Sequence, residues 1–357
     1  MANMFEPNFS ITPEITLLLK EIEGLKEKIK NLPLTPRVIK TLMETARLQS
    51  VHYSTQIEGN PLSQKEVESV IKNDQTFQER QRDEREIRTY YSAIEWMALN
   101  SKSPITEDFV KTLHSLVEGE KTPISYRGGQ NVIKDSINGT IVYMPPEAKD
   151  VPVLMKDFIE WIQKSTLPVP IIAAITHYQF VTIHPYYDGN GRTARLLTTA
   201  VLHKNGYDLK GIYSLEEYYA ENLQAYYEAI SIGNHHNYYF GRNEADITSW
   251  IEYFLEGMLK SFENVSKRME EAKASGKGDK ANLLRNLTQK QRKILALFED
   301  KKAIASKDIE SLFKFSSRSA RNLCQKLVEE GFLKIENKAD KTRSYILDPE
   351  LEDLFFT

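Results

Sequence analysis

The stretch His184-Pro-Tyr-Tyr-Asp-Gly-Asn-Gly-Arg-Thr-Ala-Arg195 decides how the middle of this chain folds. Apolar residues at helical spacing from Ile171 to Val181 predict a helix, and the apolar run Leu196 to Leu202 predicts another. The proline after His184 should end the first helix, because a residue before proline is pushed out of the α region. Asp188 to Gly191 is rich in residues that tolerate a positive φ. The sequence therefore predicts a helix, a glycine-rich turn and a second helix.

This turn has the features of an anion site. Backbone N–H groups and the positive end of a helix dipole converge at such a position. Arg192 and Arg195 add two cations on the first helical turn, where they oppose the dipole and require an anion. Asp188 supplies a hard oxygen for a Mg²⁺ ion shared with phosphates. His184, with an ordinary pKa of about 6.5, is largely neutral at pH 7 and can accept a proton from a hydroxyl.

The twelve residues resemble the Fic family motif, His-Pro-Phe-x-x-Gly-Asn-Gly-Arg-x-x-Arg, with Tyr186 in place of the usual Phe. The resemblance implies a mostly α-helical enzyme that transfers AMP from ATP, with Mg²⁺, to a hydroxyl of a protein target or of itself. It implies that His184 is the general base and that Asp188 holds the metal. A phosphate-binding role is implied for Gly189, Asn190, Gly191, Arg192 and Arg195.

Two other segments resemble the family's substrate-binding parts. Asn138-Gly139 between short β-branched runs predicts a β-hairpin. This hairpin resembles the family's flap, which aligns the target's backbone as an added strand, and Tyr126 to Gln130 matches the segment before it. The stretch from Glu221 to Tyr227 resembles the lining of the adenine pocket, which implies base contacts by Asn222 and Tyr226.

An inhibitory segment is indicated by Ser54-Thr-Gln-Ile-Glu58-Gly59, which matches the family's Ser/Thr-x-x-x-Glu-Gly/Asn signature. Ser54 and Glu58 are four residues apart and share a helix face. Glu58 lies just before the stop Gly59-Asn60-Pro61, where the helix dipole disfavours an anion, so a cationic partner is expected. The resemblance makes Arg195 that partner. The alternative is that Glu58 is merely a solvated residue at a helix end.

The C-terminal part reads as three helices followed by a hairpin. Thr288 and Ser306 begin the first two helices, Ser316 begins the third, and a wing is expected around residues 337–341. The pattern resembles a winged helix-turn-helix domain, which would offer Ser317, Arg318, Arg321 and Asn322 to DNA. The alternative is a protein-docking or dimerisation module. Residues 280–357 hold 16 Lys/Arg against 12 Asp/Glu, which is a small excess of positive charge.

We predict a mostly α chain with an N-terminal helical region (1–100), a catalytic core (101–272), a linker (273–281) and a winged helix domain (282–357). Helical patterns are expected near 14–30, 63–72, 79–99, 106–117 and 149–164. The N-terminus has no signal-peptide pattern, no apolar run is long enough to span a bilayer, and Cys324 is the only cysteine. A cytoplasmic protein without membrane contact is therefore expected.

Several questions remain open at this point. One alternative to an enzyme is a DNA-binding regulator whose core only senses nucleotide. The intact set of motif residues favours the enzyme. Related enzymes transfer another moiety or remove AMP, and the motif does not distinguish these reactions. The sequence leaves open both the identity of the target and the oligomeric state, a homodimer included.

Overall fold

Helices make up most of the computed structural model, which describes residues 5–32, 36–134, 139–233, 236–272, 287–298, 301–337, 343–349 and 351–352. The chain forms two compact units. The first contains Met1–Asn31 and Met43–Lys267, and the second contains Leu32–Leu42 and Arg268–Thr357. The prediction of a mostly helical chain with small antiparallel sheets is confirmed. The boundary at residue 100 stays a prediction.

In chain order the helices are α1 (Pro13–Asn31), α2 (Pro36–Ile57), α3 (Gln64–Lys72), α4 (Gln81–Leu99), α5 (Glu107–Glu118), α6 (Val151–Lys164), α7 (Val169–Ile183), α8 (Asn190–Lys204), α9 (Glu216–Glu221), α10 (Leu223–Ile230), α11 (Thr248–Ala272), α12 (Gln289–Leu295), α13 (Ser306–Phe313) and α14 (Ser317–Glu329). The helix limits expected from sequence agree to within about two residues, as is usual for frayed ends. No helix in the described ranges is long and apolar enough to cross a bilayer.

The core of the first unit is built around α7 and α8, which pack against each other. Nearly every residue of α7 is buried, as expected for a helix that is apolar on all faces. Trp250 of α11 is fully buried and donates its indole N–H to the carbonyl of Ala174 at 2.7 Å. Helices α4 and α5 also pack on α8. The start of α8, which carries the motif, is thus enclosed by a rigid scaffold.

Local sequence explains where the helices around the site begin and end. The Thr106 hydroxyl accepts the N–H of Phe109 at 3.1 Å and caps α5, as the sequence predicts. Gly119, with φ of 75°, ends that helix in the left-handed region. Helix α2 ends at Ile57, so Glu58 is the first residue beyond it and lies in the turn that Gly59 completes.

A two-stranded antiparallel hairpin lies in the predicted flap region. Strand β1 (Ile133–Lys134) pairs with β2 (Ile141–Tyr143), with Ile133 opposite Tyr143. The predicted turn residue Asn138 lies outside the described residues. Beyond β2, the Met144 N–H donates to the carbonyl of His236 at 2.7 Å, and the Met144 carbonyl accepts from Tyr238 at 3.0 Å. The hairpin is therefore tied at its base to a neighbouring segment.

The second unit contains α12, α13, α14 and a sheet in the order β3 (Ile304–Ala305), β5 (Ser344–Leu347), β4 (Leu333–Asn337). Its apolar core includes Ile294, Ile309 and Cys324. Burial raises the pKa of the Cys324 thiol to about 11, so this cysteine is a packing residue. The helices and the β4–β5 pair lie where the sequence expects them. The part of the expected wing from 338 to 342 lies outside the described residues.

Candidate active site

His184 lies at the end of α7 in the left-handed region, with φ of 51° and ψ of 60°. Its N–H still bonds to the Phe180 carbonyl at 3.0 Å, so the residue closes the helix while the chain turns away. A residue with a Cβ rarely adopts this conformation, which marks a constrained position. Burial lowers the pKa of the imidazole to about 4. The ring is therefore neutral at pH 7 and able to accept a proton.

The turn after His184 is held by the side chain of Asn190. Its Oδ1 accepts the N–H of Tyr186 at 3.0 Å, and its Nδ2 donates to the carbonyl of the same residue at 2.9 Å. Asn190 is 3% exposed, and both polar ends of its side chain hold the turn, so its backbone N–H is the group best placed to bond to a phosphate. Tyr186 stacks on His114, with ring centroids 3.5 Å apart, and so keeps the aromatic packing role of the usual Phe.

Gly189 is the N-cap of α8 and has a φ of 68°. A Cβ at this position would lie 2.3 Å from Oε1 of Glu118, so both the conformation and the space require glycine. A Cβ on Gly191 would lie 2.3 Å from Oε1 of Glu58. The Glu58 carboxylate is therefore packed directly against the first turn of α8, where the helix dipole attracts an anion.

Arg195 is 2% exposed and is held by the end of α2. Its Nε donates to the Ser54 hydroxyl at 2.7 Å, and its Nη2 donates to the Ser54 carbonyl at 2.9 Å and to Glu58 Oε1 at 2.8 Å. Burial has the largest single effect and lowers the pKa of this guanidinium, but the charge and hydrogen bond of Glu58 together with Tyr226 and Tyr90 outweigh burial and raise the pKa. The structure thus brings Ser54, Glu58 and Arg195 together.

Arg192 lies in different surroundings from Arg195. Its Nη1 is 2.8 Å from Glu86 Oε1 of α4, and its Nη2 is 3.1 Å from Glu118 Oε1 of α5. Burial raises the pKa of Glu118, and the charge of Arg192 opposes that rise. In this structure the Arg192 guanidinium is engaged by these two carboxylates and, at 3.5 Å, by Asp188. Its predicted contact with a leaving phosphate stays a prediction.

Asp188 is the predicted metal ligand. Its side chain is 70% exposed, its Oδ1 accepts the Gly189 N–H at 2.7 Å, and the same oxygen is 3.5 Å from Nη2 of Arg192. Among the described residues no group of three or more His, Cys, Asp or Glu side chains could hold a metal ion by itself. One exposed carboxylate fits Mg²⁺, which usually takes one or two protein carboxylates together with phosphate oxygens and water.

The two residues expected to contact adenine differ in exposure. Asn222 is exposed, and its Oδ1 caps α10 by accepting the Ala225 N–H at 3.1 Å. Tyr226 is 3% exposed, and its hydroxyl lies 2.9 Å from Nε2 of His177. His177 is thus a hydrogen-bonding neighbour in the core. Contact of Tyr226 with a base stays a prediction. The next residue, Tyr227, has an exposed ring, unlike Tyr226, and its hydroxyl donates to the Ile57 carbonyl at 3.2 Å.

Glu216 is a buried carboxylate that also holds α2, and no sequence motif indicated it. Ser50 of α2 donates to its Oε2 at 3.0 Å, and Ser214 donates to the same oxygen at 2.8 Å. The fully buried Tyr90 hydroxyl lies 3.4 Å from Oε1. The helix that carries Ser54 is therefore fastened at a second point, one turn before the arginine contact.

Comparison with known proteins finds a family model that matches the residues of this site. Residues 104–202 match the model of the Fic/DOC family. The motif residues of α7, α8 and the turn between them fall inside the matched stretch.

Curated relatives and a solved structure extend the similarity. The chain is 26% identical over 228 residues to protein adenylyltransferase Fic of Nematostella vectensis, covering 61% of this chain and 50% of that one. It is 29% identical over 195 residues to the Drosophila erecta protein of the same name, covering 53% and 39%. The chain spans about half the length of these relatives or less. A Fic family protein from Desulfovibrio desulfuricans G20 has the same fold, with a TM-score of 0.62, 23% identity and coverage of 96% and 98%.

Proposed function

We propose that this protein is an adenylyltransferase that transfers AMP from ATP to a hydroxyl side chain of a protein target or of itself, and that Glu58 inhibits it. The family domain and the curated adenylyltransferase relatives support the reaction class. The observation that carries the proposal is the position of the Glu58 carboxylate. It lies against Gly191 at the start of α8 and bonds to Arg195, where a phosphate would find the same partners.

The proposed reaction begins with the target hydroxyl. Its oxygen attacks the α-phosphorus of ATP, the bond from that phosphorus to the bridging oxygen breaks, and pyrophosphate leaves. His184 takes the hydroxyl proton, and its depressed pKa of about 4 keeps it in the base form at pH 7. Backbone N–H groups of Asn190 and Gly191 would hold phosphate oxygens at the positive end of α8, while Gly189, whose N–H donates to Asp188, shapes the turn. A Mg²⁺ ion on Asp188 would supply charge neutralisation for the phosphates.

Inhibition follows from competition for one guanidinium. Arg195 uses its Nε and Nη2 on Ser54 and Glu58, so it cannot hold the γ-phosphate in the same geometry. The Glu58 carboxylate would also lie close to that phosphate and repel it. Nucleotide can therefore bind productively only after Glu58 moves away.

The test is incorporation of AMP measured by intact mass after incubation with ATP and Mg²⁺. We expect wild type to gain little mass, Glu58→Gly to gain one or more AMP groups, and the double variant Glu58→Gly with His184→Ala to gain none. Addition of a different fragment would identify transfer of another moiety. Loss of AMP from a premodified protein would identify the reverse hydrolysis. If Glu58→Gly acquires no adduct, the proposed transfer is wrong.

A second proposal concerns α14 of the C-terminal unit, which we take to be the recognition helix of a winged helix-turn-helix domain. Ser317, Arg318, Arg321 and Asn322 are all exposed, whereas Ala320 and Cys324 on the other face are buried. A gel shift of the full chain on duplex DNA should show binding that weakens with salt, and Arg318→Ala with Arg321→Ala should reduce it. A chain without measurable DNA affinity at low salt would favour a protein-docking module.

A further inference from the structure

Arg127 is a buried arginine whose side chain donates hydrogen bonds to three backbone carbonyls. It is 3% exposed and lies in the segment before β1. Its Nε donates to the His184 carbonyl at 2.9 Å, its Nη1 to the Gly129 carbonyl at 3.1 Å, and its Nη2 to the Pro146 carbonyl at 2.5 Å. Its own N–H donates to the Pro185 carbonyl at 2.9 Å. One side chain therefore joins three separate points of the backbone.

These three points belong to two functional parts of the domain. Gly129 precedes strand β1 and Pro146 follows strand β2, so the two carbonyls lie at the two roots of the hairpin. The third carbonyl belongs to His184, the proposed base, in its left-handed conformation. A guanidinium is planar and its N–H directions are fixed, so bonds to all three carbonyls fix their relative positions. A lysine has a single ammonium and cannot reproduce this fork.

We propose that Arg127 is a positioning residue that sets the distance between the hairpin and the general base. This inference rests on the proposed transfer reaction. A target segment aligned along the hairpin would bring its hydroxyl to the His184 ring at a distance determined by the Arg127 contacts. Positioning of this kind matters because displacing a reacting group by about 1 Å can lower a rate about 10²-fold.

The charge of Arg127 gives the proposal a second, independent readout. The charged groups that act on the His184 ring are Arg127, which lowers its pKa, and Glu58 and Asp188, which raise it, while burial has the largest effect. Replacing Arg127 with a neutral residue should therefore raise the pKa of His184. This shift reports the charge of Arg127, and Arg127→Lys separates it from positioning, because lysine keeps the charge and lacks the planar fork.

The experiment uses the full chain carrying Glu58→Gly, with labelled ATP and Mg²⁺ as probes and the chain itself as acceptor. Arg127→Gln should lower kcat about 10²-fold while leaving the KM for ATP within about twofold. The acid limb of the pH profile of kcat should move to higher pH. Arg127→Lys should restore the acid limb, because the charge is kept, but should leave kcat at least about tenfold below the parent.

Arg242→Gln is the matched control, since Arg242 donates to the carbonyls of Ile230 and Ile232 and lies over the ring of Tyr143 in β2. It should lower the melting temperature without moving the acid limb. Equal losses of kcat in the Arg127 and Arg242 variants, or an unmoved acid limb in Arg127→Gln, would overturn the positioning role.

If Arg127→Gln does not fold, Arg127→Lys decides: a raised KM for ATP with unchanged kcat overturns the proposal. An inactive Glu58→Gly parent would instead refute the transfer reaction.

Discussion

Replacing Glu58 with Gln tests whether this side chain competes with nucleotide. The substitution keeps the shape and one acceptor oxygen but removes the charge that contacts Arg195 at 2.8 Å. Hydrogen bonds involving a charged group contribute about 1.5–3 kcal/mol, and neutral ones about 0.5–1.5 kcal/mol. In Glu58→Gln the arginine stays charged, and residue 58 is one-third exposed to solvent. Solvent screening therefore reduces the difference between the charged and the neutral hydrogen bond to about 1 kcal/mol. That value corresponds to roughly a fivefold change in affinity.

The affinity of ATP is the quantity to measure, by titration calorimetry in a His184→Ala background that prevents turnover. Glu58→Gln should lower the Kd of ATP by about three- to tenfold, because ATP no longer has to displace a charged competitor. AMP lacks the phosphates that would reach Arg195, so its Kd should change by less than about twofold. The control is Glu44→Gln, which alters an exposed glutamate on the same helix.

Three results would refute this reasoning. If the Kd of ATP is the same for the Glu58→Gln variant and its parent, the carboxylate does not compete with nucleotide. If AMP gains as much as ATP, the competition is not at the outer phosphates. An equal gain in Glu44→Gln would show that any loss of negative charge on α2 suffices.

Three further predictions concern stability. Ser54→Ala leaves Nε of the buried Arg195 without its 2.7 Å acceptor and should lower the free energy of unfolding by about 1–3 kcal/mol, measured by urea denaturation. Gly189→Ala, at φ of 68°, should cost about 1–2 kcal/mol and lower the melting temperature. Burial lowers the pKa of His114 and His177 to about 3 in the folded chain. Between about pH 6.5 and pH 3, these two histidines therefore take up protons only when the chain is unfolded. The free energy of unfolding should therefore decrease from pH 6.5 towards pH 3, which urea titrations at several pH values would measure.

The parts of the site that the sequence predicts are those encoded locally. The proline after His184 and the glycines of the turn set the end of α7 and the start of α8 through backbone restrictions that act within a few residues. The pairing of Glu58 with Arg195 was also anticipated, from the family resemblance and from the unfavourable place of an anion at a helix end. The turn is decided within one short segment, whereas the Glu58–Arg195 contact joins distant segments and could be predicted only because each segment carries a family signature.

The parts that the sequence did not predict depend on contacts between distant segments. Arg192 meets Glu86 and Glu118 because α4 and α5 pack on α8, and nothing near the motif indicates this. One signal was available, since Glu118 is the last residue of α5, an unfavourable place for an anion. Glu118, like Glu58, is therefore expected to have a cationic partner. The partners of Arg127 are backbone carbonyls, which every residue possesses, so sequence offers no comparable signal for them.

The burial of Arg195 gives a physical reason why the proposed inhibitor and a phosphate would share one site. A guanidinium that is 2% exposed requires an anionic partner, because a buried unpaired charge costs several kcal/mol. A site with this arginine and no nucleotide would therefore be destabilised unless a carboxylate replaced the phosphate. Glu58 meets this requirement, and it does so from the end of α2, where its own charge is unfavourable in the helix dipole. Under the proposed function the same contact stabilises the nucleotide-free fold and excludes the productive phosphate geometry, so removal of Glu58 should lower the melting temperature without nucleotide while raising the rate of transfer.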